Sequence, residues 1–448
     1  MINLPLNFSV EPAARTIVAR LQAAGFTAYF AGGCVRDKLR GVAPSDFDVA
    51  TDARPEEVQK LFRRTVAVGA HFGVICVLEA GFQFEVATFR ADGAYLDGRR
   101  PEGVRFTTAE EDAARRDFTV NGLFYDPARE EVIDFVGGRA DLAARVLRAI
   151  GDPAARFAED RLRLLRAVRF AAVLGFEIEP KTWEAVRTAA PQIGVVSAER
   201  IRDELVKIFT SPTRLRGFDL LDESGLLRVV LPELDACKGV EQPPNFHPEG
   251  DVFVHTRLML SLLPADAPVS VPLVFSVLFH DIGKPPCYRL DPAEGRIRFN
   301  GHERVGARMT ERLMERLRFS RAEIEATVVA VDNHMAFKDV QHMRVATLKR
   351  FLARPTIEDE LELHRVDCSG SHGMLDNHDF LRAKQVEFAN APLIPKPFIT
   401  GRDLIALGMK PGPSFSEILE AAQNRQLEGQ FADRAAALTW LRQEYVPQ

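Results

Sequence analysis

The sequence predicts an α+β protein: a small α/β head over residues 1–150, an all-helical body over 151–235, a histidine-rich helical region over 236–385 and a helical tail over 386–448. Three observations carry this. Short β-like runs, TAYFAGG, DFDVATD, GVICVLEAG and FQFEVATFR, are separated by glycine turns and stop before residue 150. From GDPAARFAEDRLRLLRAVRFAAVLGFEI onward the apolar spacing is helical. Two proline-rich stretches, EQPPNFHPEG and ANAPLIPKPFITGRD, then divide the helical part.

In order, residues 11–25 read as an amphipathic helix, because Ala14, Ile17, Val18 and Leu21 recur at helical spacing and Gly25 ends it. PEEVQKLFRR is the one helix among the strands. TWEAVRTAA, SAERIRDELVKIF and RLRGFDLLDESGLL continue the helical body, and KPGPSF is a turn in the tail. There is no internal repeat and no low-complexity segment. With 448 residues and 46% hydrophobic residues, the chain can fill roughly two to four domains. Its net charge of −5 excludes a generally basic surface, so an RNA partner must be gripped by a local patch. Five cysteines without CxxC spacing exclude a disulfide frame or a cysteine zinc site and point to a reducing compartment. No basic-then-apolar leader opens the chain, and no run approaches the roughly 20 apolar residues of a membrane span. The expectation is a cytoplasmic protein with no membrane partner; nothing in the sequence decides whether it dimerises.

In DFDVATD, strand alternation puts Asp46 and Asp48 on one face and Phe47 and Val49 on the other. An isolated Asp-x-Asp is most often a solvated edge strand. Here Gly32 and Gly33 offer backbone N–H groups to a phosphate, and Arg36 adds a bidentate donor just beyond the turn. A carboxylate pair beside a triphosphate seat is the layout of metal-assisted phosphoryl transfer, with Mg²⁺ at Asp46 and Asp48. Glu85, on a neighbouring strand, is a third acidic candidate; an alternating surface strand would look the same. Further on, a helix beginning at Phe157 would carry Asp160 and Arg163 on one face, with Arg166 and Arg169 continuing the row without acidic partners.

Gly-Gly-x-Val-Arg-Asp at 32–37, followed by Asp46-x-Asp48, resembles the head of bacterial class II tRNA nucleotidyltransferases and poly(A) polymerases. RRDFTVNGLFYD, RFAEDRLRLLRAVRFAAVLGFEI, SAERIRDELVKIF and TGRDLIALGMKPGPSF are similar to later motifs of that family, so the resemblance covers nearly the whole chain. It implies template-independent addition of C, C and A, from CTP and ATP, to the 3′ end of tRNA with release of pyrophosphate. It assigns Arg116 to phosphate, Asp117 and Asn121 to ribose, and Asp160 and Arg163 to the edge of the incoming base. Cytosine and adenine both pair an exocyclic amino donor with a ring-nitrogen acceptor, so a carboxylate beside a guanidinium suits them and clashes with uracil and guanine. Gly122 stands where the family would have alanine, a change expected to loosen the following strand. DGAYLDGRRPEGVRFTTAEED resembles the flexible loop of enzymes that add the terminal A, which favours a full CCA or an A-adding enzyme over a CC-adding one.

His255, His280, Asp281, His302, His334 and Asp367 follow one another in the order of an HD-type phosphohydrolase fold. Imidazoles and carboxylates together suit a divalent metal. His255, His280, Asp281 and Asp367 are the expected ligands, with His302 and His334 completing a second position. Such a site either hydrolyses phosphate esters or is an inherited structural module. The alternatives to CCA addition are poly(A) or A-only addition and, in a different class, a metal-dependent phosphohydrolase whose head senses nucleotides.

Overall fold

Helix α1 (Val10–Ala23) forms where apolar residues lie three and four apart, and it buries Ala13, Ala14, Ile17, Val18 and Leu21. In this computed structural model the described residues are 10–67, 73–92, 103–245, 247–266, 269–291, 293 and 295–445. Residues 93–102 of the expected flexible loop lie outside them. After α1 come β1 (Ala28–Ala31), α2 (Gly33–Leu39), β2 (Asp48–Thr51), α3 (Pro55–Leu61), β3 (Thr65–Val66), β4 (Val74–Glu79) and β5 (Phe82–Thr88). A ribbon of β6 (Arg90–Asp92) and β7 (Val104–Phe106) leads to α4 (Ala109–Ala114), and β8 (Leu123–Asp126) and β9 (Glu131–Asp134) follow. Seven of these strands make one mixed sheet in the order β3-β4-β5-β2-β1-β8-β9. β2 and β5 run parallel; the other neighbours are antiparallel. Phe30, Phe47, Val49, Phe84 and Val86 fill the core on the α1 side. Ala31, Ala50, Phe89 and Phe124 cluster with Ala113 of α4.

The next elements are α5 (Gly138–Ala144), β10 (Val146–Leu147), α6 (Pro153–Glu159), α7 (Leu162–Leu174), β11 (Glu177–Ile178), α8 (Pro180–Ala189) and α9 (Ala198–Phe209). β10 pairs in parallel with β11. The single helix expected from Phe157 is instead two, broken at Asp160, whose backbone is extended (φ −139°, ψ 106°). The Asp160 carboxylate accepts the Leu162 N–H at 3.1 Å and so offers the backbone an alternative to continuing α6. Asp160 and Arg163 therefore do not share one helical face.

Gly122 also differs from expectation. A Cβ there would lie 2.7 Å from Val136 Cγ2 and 3.2 Å from Ile150 Cδ1, so glycine lets these two close over the turn rather than loosening it.

The chain folds as two compact units, Met1–Pro232 and Glu233–Gln448. In the first, α7 is tied to the turn before β8 by Asp117, which accepts from Arg166 Nε at 2.8 Å and Nη2 at 2.6 Å. In the second, helices Val252–Leu262 and His302–Arg316 carry His255 and His302, His280 and His334 cap the ends of Val271–Phe279 and Arg321–Asn333, and Ile357–Gly370 carries Asp367. A separate core of Ile399, Leu404, Ile418, Ala437 and Leu441 organises residues 399–445.

Gly138 sits where a Cβ would meet the Thr119 carbonyl oxygen at 2.2 Å. Gly138→Ala is expected to lower unfolding free energy by roughly 1–3 kcal/mol, whereas Gly194→Ala, whose Cβ meets nothing, stays within about 0.5 kcal/mol; denaturant midpoints of the two variants test this. Burial opposes ionisation of Asp117, but Arg166, Asn121 and the Phe118 N–H hold its carboxyl down at about 2. A depressed carboxyl stabilises the fold above its unfolded pKa, near 4, and that contribution, about 2 kcal/mol, is lost as pH falls through about 2. Asp117→Asn should flatten the stability profile in this window, measured by urea unfolding at successive pH values.

Candidate active site

Strand β1 ends in a sharp turn at Gly32, whose φ of +72° favours glycine and where a Cβ would lie 3.0 Å from Arg116 Nη1. Gly33 then opens α2, which brings Arg36 back over the sheet. Asp46 and Asp48 are exposed while Phe47 and Val49 are buried, so the alternation read from the sequence holds although the strand itself begins at Asp48. Val49 pairs with Val86, which sets Glu85 beside Asp48 on the same outward face. Desolvation in the cleft, and then the negative charges of Glu85 and Asp46, push the Asp48 carboxyl up to about 6. Three crowded carboxylates of this kind are a donor set for a hard divalent cation.

Asp46 and Asp48, with Glu85 just outside the lining, open onto a cleft of about 560 Å³ whose lining also includes Arg36, Arg116, Asp117, Asn121, Asp160, Arg163 and Arg166. Every arginine is held by an acidic or amide partner. Arg36, buried, donates to Asn121 Oδ1 at 2.7 Å and to both oxygens of Asp37 at 2.9 Å. Asn121 is fixed in turn by donating to Asp117 Oδ1 at 3.1 Å. Arg116 grips Asp112 Oδ2 and Arg115 grips Asp112 Oδ1. Burial opposes ionisation of Asp112, yet the guanidiniums of Arg116 and Arg115 hold its carboxyl below the ordinary range. Arg163 pairs with Glu159 one turn away, and the later row positions expected to lack acidic partners have them at long range: Arg166 with Asp117, and Arg169 with Glu204 at 2.6 Å. The Phe170 ring lies beneath the guanidiniums of Arg36, Arg166 and Arg169 at 5.3, 5.1 and 3.9 Å.

Asp160 is held bidentately by Arg200 of α9, at 3.2 and 2.7 Å. Arg163 turns inward and gives its Nη1 donors to Glu159 and the Arg156 carbonyl and one Nη2 donor to the Arg115 carbonyl, which locks the α6–α7 elbow and leaves its second Nη2 N–H without an internal partner among the described residues. Asp37, Asp112, Phe170 and Arg200 are cleft or supporting residues that the sequence reading missed. Asp112 and Arg200 lie within quoted motifs, but their partners are fixed only by the fold.

The second unit gathers all six residues of the histidine series. His255 Nε2 is 3.0 Å from Asp367, His280 Nε2 is 3.0 Å from Asp281, and His302 Nε2 is 3.3 Å from Asp281. The Nδ1 atoms of His280, His302 and His334 contact the carbonyls of Val277, Phe299 and Val331 at 3.0, 2.9 and 2.6 Å. A carbonyl only accepts, so Nδ1 carries the proton and each Nε2 lone pair faces the cluster. His302 and His334 consequently point two lone pairs at each other across 3.1 Å. Burial, and then His280 and His302, push the His334 imidazole down to about 3. His255 Nδ1, His280 Nε2 and Asp281 Oδ1 are buried without an aligned hydrogen bond. Inward imidazole lone pairs, carboxylates and orphaned buried atoms fit a divalent cation. Among the described residues the groups close enough for one are His247, Glu249 and His255; His255, His280 and Asp281; and Asp281, His302 and His334. Glu249, 2.6 Å from His255 Nδ1, and Lys284, 2.7 Å from Asp281, were missed. Lys284 stands three residues after Asp281, a spacing that pointed to it; Glu249 sits in a turn without periodic signal.

Comparison with known proteins places these sites in context. The family model "Poly A polymerase head domain" matches residues 28–148, "Probable RNA and SrmB- binding site of polymerase A" matches 175–238, and "HD domain" matches 265–367. The CCA-adding enzyme of Streptococcus mutans is 45% identical over 206 residues, covering 46% of this chain and 51% of the relative. The chain thus spans about half the length of the first curated relatives it matches. The CCA-adding enzyme of Levilactobacillus brevis is 31% identical over 441 residues, covering 97% of this chain and 98% of the relative. The crystal structure of the Bacillus stearothermophilus CCA-adding enzyme in complex with CTP superposes with a TM-score of 0.71 at 25% identity, covering 96% of each chain. With matches to a poly A polymerase head and an HD domain, and aligned along nearly its whole length with such a relative, the chain belongs to the family of CCA-adding enzymes.

Proposed function

We propose that this protein adds C, C and A, from CTP and ATP, to the 3′ end of tRNA by template-independent nucleotidyl transfer. The observation that carries the reading is one cleft in which Asp46 and Asp48, with the charge of Glu85 beside them, share a lining with arginines and the Arg200-held Asp160. On this reading residues 1–150 are the catalytic head, 151–235 read the base and bind RNA, 236–385 form the HD centre and 386–448 bind tRNA. Mg²⁺ held by Asp46 and Asp48 would supply activation of the 3′-hydroxyl and neutralisation of phosphate charge. Gly33, Arg36 and Arg116 seat the triphosphate, using guanidinium N–H groups that their internal partners leave open. Asp117 and Asn121 face the ribose. Asp160 keeps an acceptor lone pair for an exocyclic amino group, and Arg163 supplies the donor for the ring nitrogen. Arg166 and Arg169 hold the wall behind the base through Asp117 and Glu204.

The second unit is read as a phosphohydrolase centre. His255, His280, Asp281 and Asp367 would hold one divalent cation and His302 and His334 would help hold another; a bound cation supplies Lewis-acid polarisation of a phosphoryl oxygen. The inward lone pairs of the imidazoles support this assignment.

Purified protein given tRNA transcripts that end before the CCA, with CTP, ATP or both, should extend them by CCA. Long A-tails would show a poly(A) polymerase instead, and no extension alongside phosphatase activity would show a hydrolase with a sensing head. Asp46→Ala should lower incorporation by roughly 10³-fold or more, the several kcal/mol of charge stabilisation that a metal supplies; full activity in that variant sinks the mechanism. Asp160→Ala should lower selection for CTP and ATP over UTP and GTP by roughly 10–10²-fold, one lost base-edge hydrogen bond, and Arg200→Ala should shift selection the same way by less. Single-turnover rates with each nucleotide measure both.

A further inference from the structure

A second groove lies on the first unit, away from the carboxylates. It measures about 520 Å³ and is lined by Leu39, Arg40, Arg139, Leu142, Arg145 and Phe176, among others. Arg40 lies over the Phe176 ring at 5.8 Å, with Asp37 at 3.5 Å. Among the described residues, the exposed guanidiniums of Arg139 and Arg145 meet no carboxylate. Arg145 is one of the few non-glycine residues with positive φ, at φ 56° and ψ 44° where α5 ends. Glycine is the usual residue at such a C-terminal position, so an arginine there is held against backbone preference. What holds it is pairing on both sides: its N–H donates to the Leu142 carbonyl and its own carbonyl accepts the Glu177 N–H at the start of β11.

The groove and the candidate active site are lined from two shared helices. α2 carries Arg36 in the cleft and Arg40 in the groove, about 6 Å further along its axis. α7 carries Arg166 in the cleft and Leu174 in the groove, about 12 Å along. A ligand that occupied both would be extended and repeatedly anionic, with sugar edges to lay on Leu39, Leu142 and Phe176. We propose that this groove binds two successive phosphates of the RNA acceptor strand, behind the 3′ end that enters the cleft. The inference rests on the reading of this protein as an RNA-extending nucleotidyltransferase. It also answers the charge problem posed by a net charge of −5: three arginines gathered on one trough make the local patch that a polyanion needs.

Binding of a labelled tRNA transcript that ends before the CCA, to the full chain without nucleotide, is measured between 50 and 200 mM KCl. In the Arg139→Ala/Arg145→Gly double variant, affinity should fall several-fold and the slope of log K against log salt should shrink by roughly 1.4 to 1.8, two phosphate contacts. The kcat and the KM for CTP at saturating RNA should stay unchanged. Arg139→Lys/Arg145→Lys should keep the slope, and Arg145→Gly alone should unfold no earlier than wild type, because glycine relieves the backbone. An unchanged slope and affinity in the double variant, in a protein that extends RNA, overturns the groove and leaves the catalytic reading standing. A smaller slope in a protein that extends no RNA keeps the groove and removes the catalytic reading.

Discussion

The candidate active site depends on one buried ion pair, Asp117 with Arg166, and on the relay that it starts. Asp117 takes the Arg166 fork on one oxygen and Asn121 on the other; Asn121 then orients Arg36, which Asp37 completes. Asp112 does the same for Arg115 and Arg116. Free arginine side chains would lose substantial rotamer entropy on meeting a triphosphate, and here that loss is already taken in folding. A pair of this kind is weak evidence for stability but strong evidence for placement, because removing the half-buried Arg166 leaves the buried Asp117 carboxylate without its cation. Phe170 extends the logic by giving three guanidiniums one apolar face to lie against. The result is a cleft whose cationic wall is set before any ligand arrives, the condition under which electrostatic stabilisation costs no reorganisation.

The histidine centre of the second unit reaches preorganisation by a different route. Three times over, a histidine at a helix boundary gives its Nδ1 proton to the carbonyl three residues earlier, at Val277, Phe299 and Val331. Helical geometry thus fixes the tautomer without spending a carboxylate on it, and leaves Asp281 and Asp367 as inward-facing acceptors. Gly283 makes this convergence possible: a Cβ there would lie 2.2 Å from the His302 carbonyl oxygen, so no larger residue lets the helix that begins at His302 approach.

Whatever depended on short-range pattern was legible in the sequence. The buried face of α1, the exposure of Asp46 and Asp48 around Phe47, and the order of the histidines all follow from spacings of two to four residues or from motif order. What was not legible depends on partners far apart in the chain. The break at Asp160 was hidden because the local pattern of 157–174 is helical throughout, and only the Leu162 N–H bond and the grip of Arg200, forty residues on, show why the chain departs from it. The arginine row looked unpaired for the same reason: Asp117 and Glu204 lie 49 and 35 residues away. Glu249 gave no sign because a turn carries no periodicity that would mark a carboxylate as facing a histidine. Periodicity tells which face a residue is on, and not what it meets there.

Both units place groups of like character closer together than either would tolerate alone. In the first, Asp46, Asp48 and Glu85 crowd until the Asp48 carboxyl rises to about 6; in the second, His302 and His334 set two nitrogen lone pairs 3.1 Å apart beside Asp281. A structural role would favour the opposite arrangement, with each carboxylate given an arginine, as are Asp117 in the same cleft and Asp112 behind Arg116. The contrast within one cleft is informative. The fold supplies guanidinium partners to the carboxylates that serve as braces and, among the described residues, pairs none with Asp46 or Asp48, which Arg116 reaches only as a charge on Asp48 that burial and the carboxylates outweigh. Repulsion that is left uncompensated, next to repulsion that is fully compensated, marks the positions where positive charge must come from outside the chain.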